Sequence, residues 1–296
     1  MSTLHRDSDP SESLLSSLAG RTMVVKVGGN ALQNRPVLDE IVRQIARLHK
    51  TGASVVVVHG GGIEIAALLE TAGIESHFVG GHRVTGAESI RYVEMALSGN
   101  VNKQLVSRLL HAGVEAVGIS GKDGRTVTAK KRIHRSDEEG TEHDLGFVGD
   151  ASDVNPGLIR MLLTNGYCPV LSPISVGEDG EDYNINADMF AGAVAGALAA
   201  DTLVAMTNIT GLLRDINDPE SRLEQLTADE ARALFGSVIQ GGMIPKVEAC
   251  LYALESGVRS VSIIDGTEKG NLLRILAEPG SIGTTFSGEK QPSRTP

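Results

Sequence analysis

A chain of 296 residues with 41% hydrophobic content can bury one large core or two lobes, which is ample for an enzyme. Its 27 basic against 37 acidic residues leave a net charge of −10, with one acid cluster at 137–144; such a surface disfavours nucleic acid and anionic membranes but leaves room for a local basic pocket. No apolar run approaches the ~20 residues that span a bilayer, the polar start is not signal-like, and Cys168 and Cys250 sit among apolar neighbours without metal-ligand spacing, so the expectation is a soluble cytoplasmic protein with reduced, core-filling thiols.

Residues 1–20 form a polar leader with a short apolar stripe, Leu14, Leu15 and Leu18, enough for two helical turns that could dock on something else. From residue 21 short β-branched runs alternate with helix-period segments, the pattern of a mainly parallel sheet covered on both faces. Strands are predicted at Thr22–Val27, Ser54–Val58, Ala116–Ser120, Pro169–Ile174, Leu203–Thr207 and Ser260–Ile264. Between them Val37, Ile41, Ile45 and Leu48 recur at helical spacing and stop at Gly52, and similar segments run from Ile63 to Ala72, Asn102 to His111, Val154 to Thr164, Ala187 to Ala199 and Val247 to Glu255. Two stretches break the rhythm: His77–Thr85, and Lys122–Asp144, which reads as a hairpin followed by a polar, acid-rich loop.

Lys26, in Val25-Lys26-Val27-Gly28-Gly29-Asn30, and Lys246, in Gly241-Gly242-Met243-Ile244-Pro245-Lys246, each lie beside a glycine pair. Backbone N–H groups next to glycine approach phosphate oxygens closely, and an ammonium neutralises the charge that moves during transfer, so the two lysines point to both ends of a transferring phosphoryl group. The strand Val55–Val58 runs into His59-Gly60-Gly61-Gly62 before a helix, which suits anion binding at the carboxyl end of a parallel strand; a tight turn is the alternative. Neither P-loop nor dinucleotide spacing is present, and His59 reads as a strand-end packing or hydrogen-bonding residue rather than a base. Arg83, in a glycine-rich turn, is either a bidentate carboxylate ligand or a solvated surface cation.

Asn184, Asn186 and Asp188 alternate before a helix of very small residues. Asn186 could cap that helix, and Asp188 could hold both lysines in register. Thr207, Asn208, Gly211 and Leu212 leave another strand in a manner that suits a nucleotide's ribose or phosphates, or a plain strand exit. Pro245 at a helix start projects Lys246 from the first turn, where a cation opposes the helix dipole and calls for an anion.

In this order, Lys26-Val-Gly-Gly-Asn30, His59-Gly-Gly-Gly62, Arg83-Val-Thr85, Val101-Asn-Lys103, Ser120-Gly-Lys-Asp-Gly124, Asn184-Ile-Asn-Ala-Asp188 and Gly241-Gly-Met-Ile-Pro-Lys246 resemble the acetylglutamate kinases of the amino acid kinase family over residues 22–286. The resemblance implies a three-layer α/β/α sandwich of carbamate kinase type: a leader at 1–20, an acyl amino acid and dimerisation lobe at 21–196, and an ATP lobe at 197–296. It implies ATP-dependent phosphorylation of the side-chain carboxylate of N-acetyl-L-glutamate in arginine biosynthesis. In that reading Lys26, Asp188 and Lys246 are catalytic; Gly28, Gly29, Gly61 and Gly62 supply N–H groups; Gly61, Gly62, Arg83, Asn184 and Asn186 bind the acyl substrate; and Thr207, Asn208, Gly211, Leu212, Gly242, Met243 and Lys246 bind ATP. Magnesium would be carried by ATP with no dedicated protein ligand. A homodimer or a trimer of dimers is implied, with arginine as an effector of the hexameric form. The chain departs from the family's usual residues at Ile63-Glu64, Asn208 and Gly86. A kinase of another acylated acid, such as N-succinylglutamate or an aminoadipate derivative, and a non-catalytic amino-acid sensor remain as rival readings.

Overall fold

The computed structural model describes residues 10–135 and 142–288. Among these residues the strands are β1 (Thr22–Val27), β2 (Ser54–His59), β3 (Phe78–Val79), β4 (His82–Arg83), β5 (Ala116–Ser120), β6 (Val127–Arg135), β7 (Glu142–Val154), β8 (Cys168–Ser172), β9 (Ile174–Gly177), β10 (Asp182–Ile185), β11 (Thr202–Thr207), β12 (Gln225–Thr227), β13 (Ser260–Asp265) and β14 (Thr284–Ser287). Eight of them form one sheet in the order β12-β14-β13-β11-β1-β2-β8-β5, parallel except where β14 runs against β13. β6, β7, β9 and β10 close on one another as a small separate barrel.

Alternation along β1 and β2 explains the layers. Val25, Val55 and Val57 face one cluster with Ile41, Ile45, Leu105, Leu109 and Leu272, while Val24, Val56 and Val58 face a second with Phe190, Val194, Val247 and Val261. A strand buried on both faces needs no polar side, which is why β2 runs through four valines and β1 is interrupted only by Lys26. The crossover helix Arg35–Lys50 begins where Asn34 accepts from Val37 N and proline occupies the first turn, and its basic last turn complements the carboxyl end of the dipole. The three-layer expectation holds, and the sheet runs unbroken across the boundary at 196/197, since β1 pairs with β2 on one side and β11 on the other.

Three expectations change. The run Pro169–Ile174 divides at Pro173 into β8 and β9, because proline has no N–H for the ladder and the chain leaves the large sheet there for the barrel. Within the stretch Lys122–Asp144, β6 pairs antiparallel with β7, which reaches back to Glu142; residues 136–141, with most of the acid-rich part, lie outside the described residues. The helix expected from Val154 starts at Gly157, since β7 extends to Val154 and the residue before Pro156 is biased away from helix.

Of the leader, residues 1–9 lie outside the described residues, and Glu12–Ser16 is a short helix capped by Ser11. Its Leu15 and Leu18 are buried against the chain's own core, and Glu12 pairs with Arg47 at 2.9 Å. Both cysteines are buried and free, as expected. No helix among the described residues is long and apolar enough to cross a membrane.

Candidate active site

β1 lies in the middle of the sheet and delivers Lys26 near its carboxyl end, with its side chain almost fully buried. A Cβ at residue 28 would lie 2.7 Å from Lys26 Nζ, so glycine there leaves room for the ammonium. From the facing layer, helix Ala187–Leu198 is capped by Asn186, whose Oδ1 accepts from Asp188 N at 2.9 Å and Met189 N at 3.3 Å. That cap points Asp188 at Lys26: Oδ1 is 2.8 Å from Lys26 Nζ, and Oδ2 is 3.5 Å from Lys246 Nζ.

Lys246 reaches this point because helix Ile244–Glu255 packs unusually close to helix Ala187–Leu198. A Cβ on Gly192 would meet Ala249 O at 3.3 Å, and one on Gly196 would meet Ser256 Cβ at 2.4 Å. The small-residue run of the sequence is therefore a packing device that brings Lys246 and Asp188 together. Burial alone would raise the Asp188 carboxyl, but the charges of Lys26 and Lys246 and their hydrogen bonds outweigh it and hold it below the usual carboxylate range. The anion that the position of Lys246 called for is Asp188, and the cluster of two cations and one anion keeps an excess of positive charge.

Beside this cluster opens a cavity of about 450 Å³, with Gly29, Gly61, Gly62, Arg83, Asn184 and Asn186 in its lining. Helix Gly62–Thr71 starts at Gly61 without a side-chain cap, so its first N–H groups are left to a ligand. One wall is a π-helical turn, Met95–Val101, tight against the glycines: a Cβ on Gly61 would meet Leu97 Cδ2 at 2.7 Å and Val101 Cγ2 at 3.2 Å. Arg83, on the β3–β4 hairpin, donates to Gly62 O at 2.8 Å, bonds Ser76 Oγ, and lies over the Phe78 ring at 4.7 Å. It stands at the cavity as a half-buried cation, not as a free surface one.

Thr207 ends β11, its hydroxyl accepting from Ile209 N at 3.2 Å, with Asn208 exposed next to it. Gly242 is exposed and Met243 half-buried in the turn before Lys246. Gly211 and Leu212 are placed differently from the other nucleotide candidates. Leu212 is 2% exposed and donates through its N–H to Thr284 Oγ1 at 2.8 Å, and Gly211, at φ +127°, has Gly283 C 2.9 Å from where a Cβ would stand. Their role in this arrangement is to join the β11 exit to β14. A larger open groove, about 1150 Å³, lies between helices Arg35–Lys50 and Asn102–His111, away from this cluster.

The model described as the amino acid kinase family matches residues 21–265. This chain belongs to the amino acid kinase family. Acetylglutamate kinase of Heliobacterium modesticaldum is 44% identical over 274 residues, covering 91% of this chain and 93% of its own. The N-acetylglutamate synthase of Neisseria gonorrhoeae, solved with coenzyme A and L-arginine, superposes with a TM-score of 0.75 at 25% identity over 94% of this chain; the chain spans 63% of that synthase's length. Carbamate kinase from Giardia lamblia bound to AMP-PNP shares the fold, with a TM-score of 0.64 at 18% identity over 91% of this chain and 99% of its own.

Lys26, Asp188 and Lys246 meet in one cluster, and Gly29, Gly61, Gly62, Arg83, Asn184 and Asn186 line the cavity beside it, but some structural contributors carried no assigned role. Leu97 and Val101 belong to a π-helical turn that periodicity cannot distinguish from an ordinary helix. Asn102 is wholly buried, and its side chain bonds Val170 O at 2.9 Å and the His59 ring at 3.1 Å. An asparagine at a core-facing helix position was the available signal. His59 itself is buried with its ring engaged on both sides, and burial lowers its pKa to about 4, so it is a neutral hydrogen-bonding residue and no base.

Proposed function

We propose that this chain transfers the γ-phosphoryl group of ATP to the side-chain carboxylate of N-acetyl-L-glutamate, giving N-acetyl-L-glutamyl 5-phosphate for arginine biosynthesis. Family membership makes it a kinase that uses ATP; the acceptor is inferred from the acetylglutamate kinase relative. The observation that carries the reading is the Lys26–Asp188–Lys246 cluster beside a cavity with an uncapped helix start.

A carboxylate oxygen attacks the γ-phosphorus, a new O–P bond forms, and the bond to the β-γ bridging oxygen breaks to release ADP. The acceptor is already ionised at neutral pH, so no general base is needed, and the site supplies alignment and charge. Lys26 meets the side of the phosphoryl group nearer the acceptor cavity, Lys246 the side nearer the nucleotide, and Asp188 keeps the two ammonium groups in register. Gly28, Gly29, Gly61 and Gly62 offer N–H groups to the phosphate oxygens and the attacking carboxylate. Arg83, Asn184 and Asn186 border the space for the rest of the acyl amino acid. Among the described residues no group of three or more His, Cys, Asp or Glu side chains is disposed to hold a metal, and Asp188 is committed to lysines. Magnesium would arrive with ATP and screen its phosphate charge.

The test is ATP turnover with N-acetyl-L-glutamate in the presence of hydroxylamine, which traps an acyl phosphate as a hydroxamate. Hydroxamate that requires both substrates supports the reading. Its absence with N-acetyl-L-glutamate but formation with N-succinylglutamate would move the assignment to another acylated acid; ATP binding without turnover on either would favour a sensor. Two assemblies go with the proposal, a homodimer and a trimer of dimers with arginine as effector.

A further inference from the structure

The buried pair His59 and Asn102 lies directly beneath the glycine loop but touches neither cavity nor cluster. His59 ends β2, and Asn102 opens helix Asn102–His111 just after the π-helical turn. Both are 0% exposed. His59 Nδ1 is 2.9 Å from Gly60 O, and its Nε2 is 3.1 Å from Asn102 Nδ2.

The proton positions follow from the acceptors. Asn102 Nδ2 also faces Val170 O at 2.9 Å and Ile119 O at 3.4 Å, and a carbonyl can only accept, so this end of the side chain is the NH2. The other end, Oδ1, accepts from Lys103 Nζ at 3.1 Å. A donor facing His59 Nε2 requires that nitrogen to be bare, which puts the ring proton on Nδ1, where it donates to Gly60 O. The burial that lowers the ring's pKa keeps this neutral form through the physiological range.

We infer that His59, oriented by Asn102, is a positioning residue that aims the Gly61 N–H at the reacting groups. The Gly60–Gly61 peptide is trans and planar, so its N–H points opposite to its C=O. Holding Gly60 O against the buried ring turns Gly61 N–H away from the ring. Gly60 N–H is already donated to Val27 O at 2.9 Å, and Gly61 O accepts from Ile65 N at 2.9 Å, so the loop is tied at both ends. The peptide between those ties is fixed by the histidine. The π-helical turn belongs to the same device: it sets the register that drops Asn102 onto the β2 end while Leu97 and Val101 press on Gly61. The inference rests on the proposed phosphoryl transfer for its kinetic consequence but not for its proton assignment.

Two substitutions separate the contacts. His59→Asn places an amide N–H near the old Nδ1 and can keep the bond to Gly60 O, whereas His59→Gln places its amide oxygen near the old Nε2 and can keep only Asn102. The expected result is that His59→Gln lowers kcat about tenfold or more, as small misplacements do, with KM for ATP little changed, while His59→Asn retains most of the rate. Thermal melts of both establish that folded protein is being compared. Equal losses, or no loss in either, would overturn the positioning role. Independently of turnover, long-range 1H–15N correlation on histidine-labelled wild-type protein should show the His59 ring neutral with its proton on Nδ1 at neutral pH; a charged ring, or a proton on Nε2, would sink the inference even if the variants fail to fold. Absence of wild-type turnover with N-acetyl-L-glutamate would count against the proposed function and leave the ring assignment standing.

Discussion

Asp188 holds two ammonium groups that would otherwise repel each other across a buried site. Asp188→Asn keeps the shape and removes the charge, leaving Lys26 and Lys246 as uncompensated cations; chemical denaturation should show a loss of about 3 kcal/mol, the lower range for breaking a buried pair, because Lys246 is partly exposed. The depressed pKa of Asp188 sets the sign of its pH dependence: its contribution is present above the unfolded value near ~3.8 and is lost as pH falls through the lower folded value. Stability measured between pH 5 and pH 9 should therefore carry no slope from this residue, with loss confined to stronger acid. Lys246→Ala should lower kcat by about 10²-fold with a smaller change in either KM, the pattern of a contact that strengthens in the transition state. Arg83→Ala should chiefly raise KM for the acyl amino acid, and an unchanged KM would remove Arg83 from the substrate site.

The site depends on how closely two helices approach, and that is set by glycine. Gly196→Ala would place its Cβ 2.4 Å from Ser256 Cβ and 3.0 Å from Ser256 O, so helix Ile244–Glu255 must shift; the expected cost is about 1–3 kcal/mol, read as a lower Tm, with kcat falling because Lys246 moves with its helix. Gly192→Ala meets Ala249 O at 3.3 Å and should cost less. Reversed order of the two would mean that the helix contact is not what places Lys246. The small-residue pattern was readable in the chain, but its meaning was not, because nothing local says which neighbour demands the space. The same division runs through the elements. β1, β5 and helix Asn102–His111 match their sequence limits because valine-rich or amphipathic runs end in polar or glycine punctuation. The barrel strands were obscured because β6 carries Lys130, Lys131 and Arg132 and β7 is largely half-exposed, leaving no clean alternation. Lys26, Asp188 and Lys246 were legible as motifs; the coupling of His59 to Asn102 was not, since it spans 43 positions and depends on a π-helical register.

At the scale of the whole molecule, the net charge of −10 contrasts with the cationic excess at the Lys26–Asp188–Lys246 cluster, a local field that favours an anionic ligand there. The sheet leaves β5 as an edge strand, and an unpaired ladder edge invites either a cover or a second chain. Leu110, Met161 and Tyr167 are exposed on helices Asn102–His111 and Gly157–Thr164 and the segment leading into β8. The two assemblies differ in what they ask of the leader. If a trimer of dimers is joined through the leader, the leader must bind another subunit, whereas Leu15 and Leu18 are already buried against this chain's own core and Glu12 is paired with Arg47. Sedimentation velocity should therefore give a species of twice 31.1 kDa that added arginine does not enlarge. Leu110→Glu should shift it toward the single chain by placing a charge in an apolar contact. A sixfold mass on adding arginine would show that the leader can exchange its home contacts for a neighbour's, and would make arginine an effector of this kinase.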